Sequence, residues 1–493
     1  MSGSGTFDRA TIYRSAATAV ALQWSVRAIG LVSVIVMARL LQPHDFGIVA
    51  LALAVSAFVE LFGYIGLRQA LLRIPAPERS HYDTAFTIQL ALFLVLALLM
   101  CGLAPLAARF YGEPAVAPIL WAMAVRVAAL GFINIGIVEF EREMQFGRDM
   151  KMRLSVRVAS LLVSLAAALV LRNYWALVIG LVAYSLFYMV ASYLAHPFRP
   201  RLDLSRRAEL LGVSLWMFVS SFAEFVQTQI ERLVLGRFFA PTTVGLYSVS
   251  KDLSVIFTQE ITTALNRVTF VTVSSGQTDA GVGRNIARVI GGYAAVVAPL
   301  SAGLVATAPD AITVLLGAQW LPAAPLLRII ALYAGVQAVY LMTASVLQAS
   351  GFVRRAALMN LGGAFLSAAA LIGAAWQWQR PEAIAYAALA VDCVMLAVGL
   401  TLLARNAQVP VLPLAANLVR PLLAAAAMVA MLWGPEKVET GSPFLDLVCA
   451  VCLGGVTYAG CLALLWLAAG RPDGAEREAA MLIGSLRRRL RAG

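Results

Sequence analysis

Long runs of apolar residues, each about the length of a membrane-spanning helix, dominate the pattern of this chain. A helix needs roughly 20 apolar residues to cross about 30 Å of hydrocarbon. Turn-forming and charged residues separate the runs, as at Gln42-Pro43 and Gly112-Glu113-Pro114. The pattern predicts an all-α polytopic membrane protein with about fourteen spans. The predicted spans lie near residues 16–40, 44–68, 84–108, 115–138, 154–171, 174–195, 210–236, 243–265, 285–308, 323–347, 355–376, 382–404, 417–434 and 443–469.

Composition supports the membrane class. Of the 493 residues, 61% are hydrophobic and 13% are charged, whereas a soluble domain is roughly 45–50% apolar and about 25% charged. A soluble globular enzyme is therefore excluded. The formal net charge is +12, but the sequence has no soluble domain that could present a basic surface, so we predict no nucleic-acid partner.

The distribution of basic residues predicts how the chain lies in the membrane. Most of the 38 lysines and arginines fall in the N-terminal segment, the even-numbered connections and the C-terminal tail. Because cytoplasmic loops are enriched in basic residues, we predict that both termini are cytoplasmic. The basic tail is predicted to lie as an amphipathic helix on membrane lipids. A solvated charged tail is the alternative.

A short motif occurs twice, each time at the end of a predicted span. Arg39, Pro43 and Gly47 recur at the same spacing as Arg237, Pro241 and Gly245. Chance recurrence of turn residues is the alternative, but a weaker echo follows in the same order and favours a duplication of six spans. Repeats with an even number of spans share one topology and are related by an axis along the membrane normal. We therefore predict an N-terminal bundle at 1–205, a second bundle at 206–410, two additional helices at 411–470 and the cytoplasmic tail at 471–493.

A set of cations lies deep within predicted spans. Such a charge costs roughly 2.5–3.5 kcal/mol, so it is expected to face a cavity or a partner. The arginine fork suits phosphate because it donates two parallel hydrogen bonds and stays charged. We predict that these residues line a cavity for an anionic substrate, such as a pyrophosphate head group. Ion pairs that hold the bundle together are the alternative. The cations are Arg27, Arg126, Arg232, Lys251 and Arg328.

Uncharged polar and aromatic residues lie on the same helix faces. Gln23 is one turn from Arg27, while Tyr333, Gln337 and Tyr340 recur at helical spacing. Aromatic rings and amides of this kind stack against sugars and hydrogen-bond to them, so we predict that these four residues bind substrate. Polar contacts between helices are an equally supported alternative.

Three intramembrane acids are candidates for coupling transport to proton or sodium movement: Glu60, Glu224 and Glu231. Glu224 is the favoured one. No nucleotide-binding motif and no metal-ligand spacing occurs in the sequence, so we predict no cofactor. The energy for transport is then expected from an ion gradient or from the substrate's own gradient.

The segment from Ala38 to Gly47, with Gly63 to Leu67 after it, resembles the bacterial polysaccharide transport family. Leu315 to Trp320 and Leu347 to Gly351 resemble its C-terminal signatures. This family belongs to the multidrug/oligosaccharidyl-lipid/polysaccharide flippase superfamily. The resemblance implies two six-helix bundles in a V around a central cationic cavity. It also implies a transporter of the bacterial inner membrane, not an enzyme, that flips undecaprenyl-pyrophosphate-linked oligosaccharide by alternating access. A polysaccharide polymerase is a candidate partner.

Two other functions are alternatives. An ion-coupled drug antiporter of the same fold would need a site dominated by acids. A polysaccharide polymerase or ligase is disfavoured because the hydrophilic connections are short.

Overall fold

The computed structural model describes residues 24–25, 28–63, 66–210, 215–256, 281–406, 411–434 and 441–470. Within these ranges the chain forms helices joined by short turns and contains no strand. The helices are α1 (Ala28–Leu40), α2 (Pro43–Leu61), α3 (Leu67–Arg73), α4 (Arg79–Tyr111), α5 (Val116–Gly131), α6 (Val138–Arg142), α7 (Phe146–Leu171), α8 (Trp175–Ala195), α9 (Arg207–Leu210), α10 (Leu215–Phe238), α11 (241–256), α12 (Gly281–Ala306), α13 (Ala308–Leu315), α14 (Ala324–Ala349), α15 (Val353–Trp378), α16 (Pro381–Asn406), α17 (Val411–Leu432) and α18 (Pro443–Ala468).

Ten of these helices are long and apolar enough to cross a membrane. A bent pair, Val116–Gly131 with Ile135–Arg142, makes an eleventh span if it is counted as one, with a 64° bend between its parts. The prediction of an all-α polytopic membrane protein is confirmed. Predicted spans at 16–40, 210–236 and 243–265 correspond to α1, α10 and α11. These three are not among the ten, because the described parts of α1 and α11 are short and α10 carries several charges.

The chain divides into two compact units. The first runs to Phe225 and includes Ala240–Gly245, and the second consists of Val226–Phe239 with the residues from Leu246 onward. The bundle boundaries and the V-shaped arrangement expected from the sequence remain predictions. The predicted tail at 471–493 lies outside the described residues.

Small residues let neighbouring helices approach closely within each unit. Three glycines each face a hydroxyl group on a neighbouring helix, and a Cβ added at any of these glycines would collide with that hydroxyl. Without a hydrophobic driving force in lipid, such close packing is a main source of helix association. The pairs are Ser164 with Gly180 between α7 and α8, Ser301 with Gly335 between α12 and α14, and Thr343 with Gly399 between α14 and α16.

The two copies of the repeated motif pack directly on each other within the first unit. A Cβ on Gly47 of α2 would collide with the carbonyl oxygen of Pro241, and a Cβ on Gly245 of α11 would collide with that of Pro43. Each proline opens its helix, where its missing N–H leaves no hydrogen bond unmade. The contact is reciprocal, since the glycine of each copy lies against the proline carbonyl of the other.

The connector that follows α8, residues 196–206, is fastened to the first unit by its backbone. Arg201 N–H donates to Asp83 Oδ1 at 2.7 Å, and Asp203 N–H donates to Thr87 Oγ1 at 2.9 Å. The side chain of Asn134, buried at the bend between α5 and α6, donates to the carbonyl oxygen of Phe198 at 2.8 Å. These bonds satisfy polar groups that have no helical partner.

Two histidines anchor the ends of this connector in the same manner. Nδ1 of His81 accepts a hydrogen bond from the Glu78 amide at 3.0 Å, so its Nε2–H donates to Glu209, also at 3.0 Å. Nδ1 of His196 accepts from the Phe198 amide, and its Nε2–H donates to Glu139 at 2.9 Å. A ring nitrogen that accepts from a backbone amide fixes which tautomer is present.

Candidate functional site

In the first unit, Arg126 of α5 and Glu60 of α2 form an ion pair. Arg126 Nη1 lies 2.5 Å from Glu60 Oε1, and Nη2 lies 3.3 Å from Oε2. The Ser56 hydroxyl, one helical turn before Glu60, donates to the same carboxylate at 2.5 Å. Each charged side chain is 20% exposed. A predicted substrate cation and a predicted coupling acid therefore meet as one pair.

The geometry of this pair leaves several guanidinium N–H groups of Arg126 available for a ligand. A guanidinium carries five N–H groups in a fixed plane, and Glu60 and Ser56 together occupy only Nη1 and one side of Nη2. The remaining donors can donate to a phosphate oxygen while Glu60 holds the orientation of the fork. A positioned and charge-assisted donor of this kind suits an anionic head group.

In the second unit, several predicted residues converge on Glu231 of α10, which is 2% exposed. Lys251 Nζ of α11 lies 2.8 Å from Glu231 Oε2. The Tyr333 hydroxyl of α14 donates to Oε1, also at 2.8 Å, and Gln337 Nε2 donates to that hydroxyl oxygen at 2.8 Å. The spacing of four residues puts Tyr333 and Gln337 on one face of α14. The carboxylate is thus compensated by an ammonium and a phenol.

The second predicted aromatic residue, Tyr340, takes part in a neighbouring contact. Its hydroxyl donates to Asn360 Oδ1 at 2.9 Å, while Gln227 Nε2 of α10 donates to the Asn360 carbonyl oxygen at 2.8 Å. Asn360 belongs to α15 and was not predicted as a site residue. The signal available for it was only a lone amide within an apolar span.

These polar side chains face a small cavity of about 20 Å³ within the second unit. Its polar lining includes Asp392 of α16, which is buried and has an Oδ2 atom without a hydrogen-bond partner. The sequence placed Asp392 among many intramembrane acids without singling it out. The other polar side chains of the lining are Gln227, Glu231, Tyr333, Gln337, Tyr340 and Ser367.

Two predicted cations lie elsewhere in the second unit and do not line this cavity. Arg232 forms an ion pair with Asp252 at 3.3 Å and donates to Gln229 at 3.2 Å. Arg328 is exposed, and its guanidinium lies over the Trp433 ring, 5.6 Å from the centroid. Both have local partners, so their role in substrate binding remains a prediction.

Three predicted residues cannot be placed among these contacts. Gln23 and Arg27 lie outside the described residues. Glu224 belongs to the described helix α10, but its side chain is outside the described part of the chain. Their predicted roles remain predictions.

Another arginine, Arg157 of α7, belongs to the interior of the first unit. Its guanidinium lies 5.9 Å from the centroid of the Tyr184 ring, and its Nη2 approaches Gly30 of α1. One turn earlier, Arg153 lies over Tyr188 and pairs with an aspartate of its own helix. Arg157 thus brings a cation close to Gly30 of α1.

In the described ranges no group of three or more His, Cys, Asp or Glu residues is arranged to hold a metal ion. The polar clusters of the two units consist of ion pairs, amides and hydroxyls. Such groups can bind an anionic, hydroxyl-rich ligand without a cofactor.

Comparison with known proteins adds to this geometry. The sequence profile of the polysaccharide biosynthesis protein family matches residues 36–325, more than half of the chain. The succinoglycan biosynthesis transport protein ExoT of Rhizobium meliloti is 28% identical over 335 residues, which cover 67% of this chain and 68% of that protein. The lipopolysaccharide biosynthesis protein WzxC of Escherichia coli is 21% identical over 354 residues, covering 70% of this chain and 71% of that protein.

The fold is also similar to that of a solved structure, the lipid II flippase MurJ in an inward closed conformation. The TM-score is 0.72 at 10% sequence identity, and the match covers 92% of this chain and 99% of that one. At this identity the likeness concerns the fold alone. The family expected from the sequence motifs is confirmed by the profile match: the chain belongs to the polysaccharide biosynthesis protein family.

Proposed function

We propose that this chain is a flippase for lipid-linked oligosaccharides. It moves undecaprenyl-pyrophosphate-linked repeat units from the cytoplasmic to the periplasmic leaflet of the bacterial inner membrane, for exopolysaccharide or lipopolysaccharide biosynthesis. The observation that carries the proposal is the family match over residues 36–325. The names of the relatives, which refer to succinoglycan transport and lipopolysaccharide biosynthesis, support it.

The chemistry of the first unit suits the charged part of such a substrate. Arg126 offers in-plane donors that Glu60 and Ser56 leave open, and a guanidinium binds phosphate oxygens in pairs. The polyprenyl tail stays in the bilayer while the head group crosses, so only the pyrophosphate and the sugars need polar partners. Arg157 would extend this surface toward α1.

The chemistry of the second unit suits sugars and an ion. Tyr340, Gln337 and Asn360 present aromatic and amide groups near a cavity, and these groups recognise hydroxyl-rich ligands. The acids of the same region would respond to a proton or a sodium ion. Alternating access needs an event that binds the two states differently, and ion binding is such an event.

The orientation we propose has both termini in the cytoplasm. It follows from the concentration of arginines in the even-numbered connections. In this orientation the connector at 196–206 lies on the cytoplasmic side, where the substrate is loaded. A polysaccharide polymerase that uses the flipped repeat units is a further proposed partner.

The proposal is tested with a strain that lacks the gene. We expect lipid-linked oligosaccharide to accumulate in the cytoplasmic leaflet and surface polysaccharide to be lost, and both defects to be reversed by the wild-type gene. The purified protein in liposomes should make a fluorescent lipid-linked oligosaccharide accessible to an impermeant quencher. Protein-free liposomes are the control. Unchanged polysaccharide in the deletion strain, together with inert liposomes, would refute the function.

A drug antiporter of the same fold is the second candidate, since Glu231 and Asp392 form an acidic pair within the second unit. It predicts that deletion sensitises cells to cationic drugs and leaves lipid-linked intermediates unchanged. The Lys251 ammonium beside Glu231 opposes this candidate, because it repels a cationic substrate.

A further inference from the structure

Asp392 differs from the other intramembrane acids of the described residues in lacking a full set of partners. It is 7% exposed and lines the cavity of the second unit, and its Oδ2 atom has no hydrogen-bond partner. An ionised carboxylate with an unpaired oxygen in an apolar environment is costly. Glu60 and Glu231, by contrast, each hold a cation at hydrogen-bond distance.

The surroundings of Asp392 come from four helices besides its own. Charged groups there are Glu231 and Lys251, with the Arg232–Asp252 ion pair beyond them. Titratable phenols are Tyr247, Tyr333 and Tyr340, and the uncharged polar groups are Gln227, Gln337 and Ser367. Among these groups Lys251 is the cation nearest to Glu231, to which it is bound at 2.8 Å.

The charges of this cluster therefore do not balance when both carboxylates are ionised. Lys251 neutralises Glu231 at 2.8 Å, which leaves Asp392 with one uncompensated negative charge. A buried uncompensated charge is avoided in proteins, and either a proton or a bound cation removes it.

The observations favour the proton over a metal ion. The Lys251 ammonium already occupies the position of a cation beside Glu231. In the described ranges no three His, Cys, Asp or Glu side chains are arranged to hold a metal ion, whereas hard cations prefer several oxygen ligands with more than one carboxylate. A single carboxyl oxygen without a partner suits one proton.

We propose that Asp392 binds and releases the proton that couples substrate movement to the proton gradient. This inference rests on the proposed flippase function and names its driving ion and the group that carries it. The step is a proton transfer only: the carboxylic acid of Asp392 becomes a carboxylate, and the proton passes to water in the cavity.

The charge of Asp392 then changes the contacts of Lys251. When Asp392 is protonated, the pair of Lys251 and Glu231 is complete. When Asp392 is ionised, it competes with Glu231 for the same ammonium. Lys251 lies on α11, whereas Glu231 lies on α10 and Asp392 on α16. The protonation of Asp392 therefore changes whether α11 is attracted toward α10 or toward α16. A ligand with such an effect shifts the balance between two conformations.

The test uses the full chain in liposomes with undecaprenyl-pyrophosphate oligosaccharide extracted from the deletion strain. The membrane potential is clamped with potassium and valinomycin, and an impermeant lectin reports the leaflet ratio of the oligosaccharide. With one proton per substrate, a gradient of one pH unit supports an asymmetry of up to about tenfold. We expect this asymmetry in the wild type and a ratio near one in Asp392→Asn.

Glu382→Gln is the matched control, since it removes an acid from the first turn of the same helix. It should keep the full asymmetry. Full asymmetry in Asp392→Asn, or a wild type that responds to a sodium gradient and not to a pH gradient, overturns the inference. A wild type that equilibrates no lipid under any condition overturns the proposed function instead.

A measurement independent of transport tests whether Asp392 itself carries the proton. Infrared difference spectra of the purified protein should show the carbonyl stretch of a protonated carboxyl group that disappears as the pH rises. We expect this band in the wild type and in Glu382→Gln and its absence in Asp392→Asn. A wild type that lacks the band refutes the assignment to Asp392, whatever the substrate.

Discussion

Gly47 and Gly245 each lie against the proline carbonyl of the other's motif, so that two helix starts touch through their backbones. A sequence repeat and a tertiary contact coincide at this point. Since backbone meets backbone, neither helix has a side chain that could move aside.

The first prediction concerns this crossing. Gly47→Ala and Gly245→Ala should each lower the free energy of unfolding by about 1–3 kcal/mol, because the added methyl group forces the helices apart. Thermal unfolding in detergent measures the effect. Gly102→Ala in α4 is the control, since nothing lies within 4 Å of its Cβ position. Equal melting temperatures for all three variants would contradict the contact.

The second prediction separates the two roles of Arg126. Arg126→Ala leaves Glu60 unpaired, and we expect a loss of about 1–3 kcal/mol, less than for a fully buried pair because both side chains are 20% exposed. Adding Glu60→Gln should restore stability but not polysaccharide export, because the guanidinium is still missing. Melting temperature and export are measured on the same variants. A double variant that exports normally would show that Arg126 only stabilises the bundle.

The third prediction concerns Lys251 and Glu231. Lys251→Met leaves a carboxylate that is 2% exposed without its cation, so we expect a destabilisation of about 3–5 kcal/mol. Lys251→Met combined with Glu231→Gln should recover most of it, and denaturant unfolding of the double-mutant cycle gives the coupling energy. Arg328→Ala, at an exposed position, should change stability by less than about 0.5 kcal/mol. Additive single effects would mean that the two groups do not interact.

The fourth prediction is a pH dependence of the connector. The hydrogen bond from His81, with Arg206 beside it, holds the pKa of the Glu209 carboxyl below its ordinary value. A group with a lowered folded-state pKa stabilises the structure above its unfolded value of about 4.3, and this contribution is lost as the pH falls through the lowered value. The connector should therefore be anchored at pH 7 and loosen in acid.

Amide hydrogen exchange of residues 196–206, corrected for its intrinsic pH dependence, measures this loosening. Glu209→Gln should be less protected at pH 7 and lose little more on acidification. Glu382→Gln should follow the wild type. Identical profiles for wild type and Glu209→Gln would exclude Glu209 as the anchor.

The sequence predicted most of the helices because apolar run length depends on membrane thickness and not on tertiary contacts. It also identified the repeated motif, which proved to be a crossing in the first unit. It could not show that Arg126 meets Glu60 or that Lys251 meets Glu231, because each pair joins different helices and helix rotation is decided by packing. Asp392 was missed for the same reason: many acids lie in the spans, and only the structure distinguishes paired from unpaired oxygens.

The contact between Thr343 and Gly399 has a consequence for proton binding. Gly399 lies two helical turns beyond Asp392 on the same face of α16, and Thr343 lies one turn beyond Tyr340 on α14. Because the Thr343 hydroxyl packs against Gly399, it fixes how α16 is rotated about its own axis. This rotation in turn fixes the direction in which the Asp392 carboxyl group points. An uncharged residue pair two turns away from Asp392 thus selects the side of the helix from which Asp392 can exchange its proton.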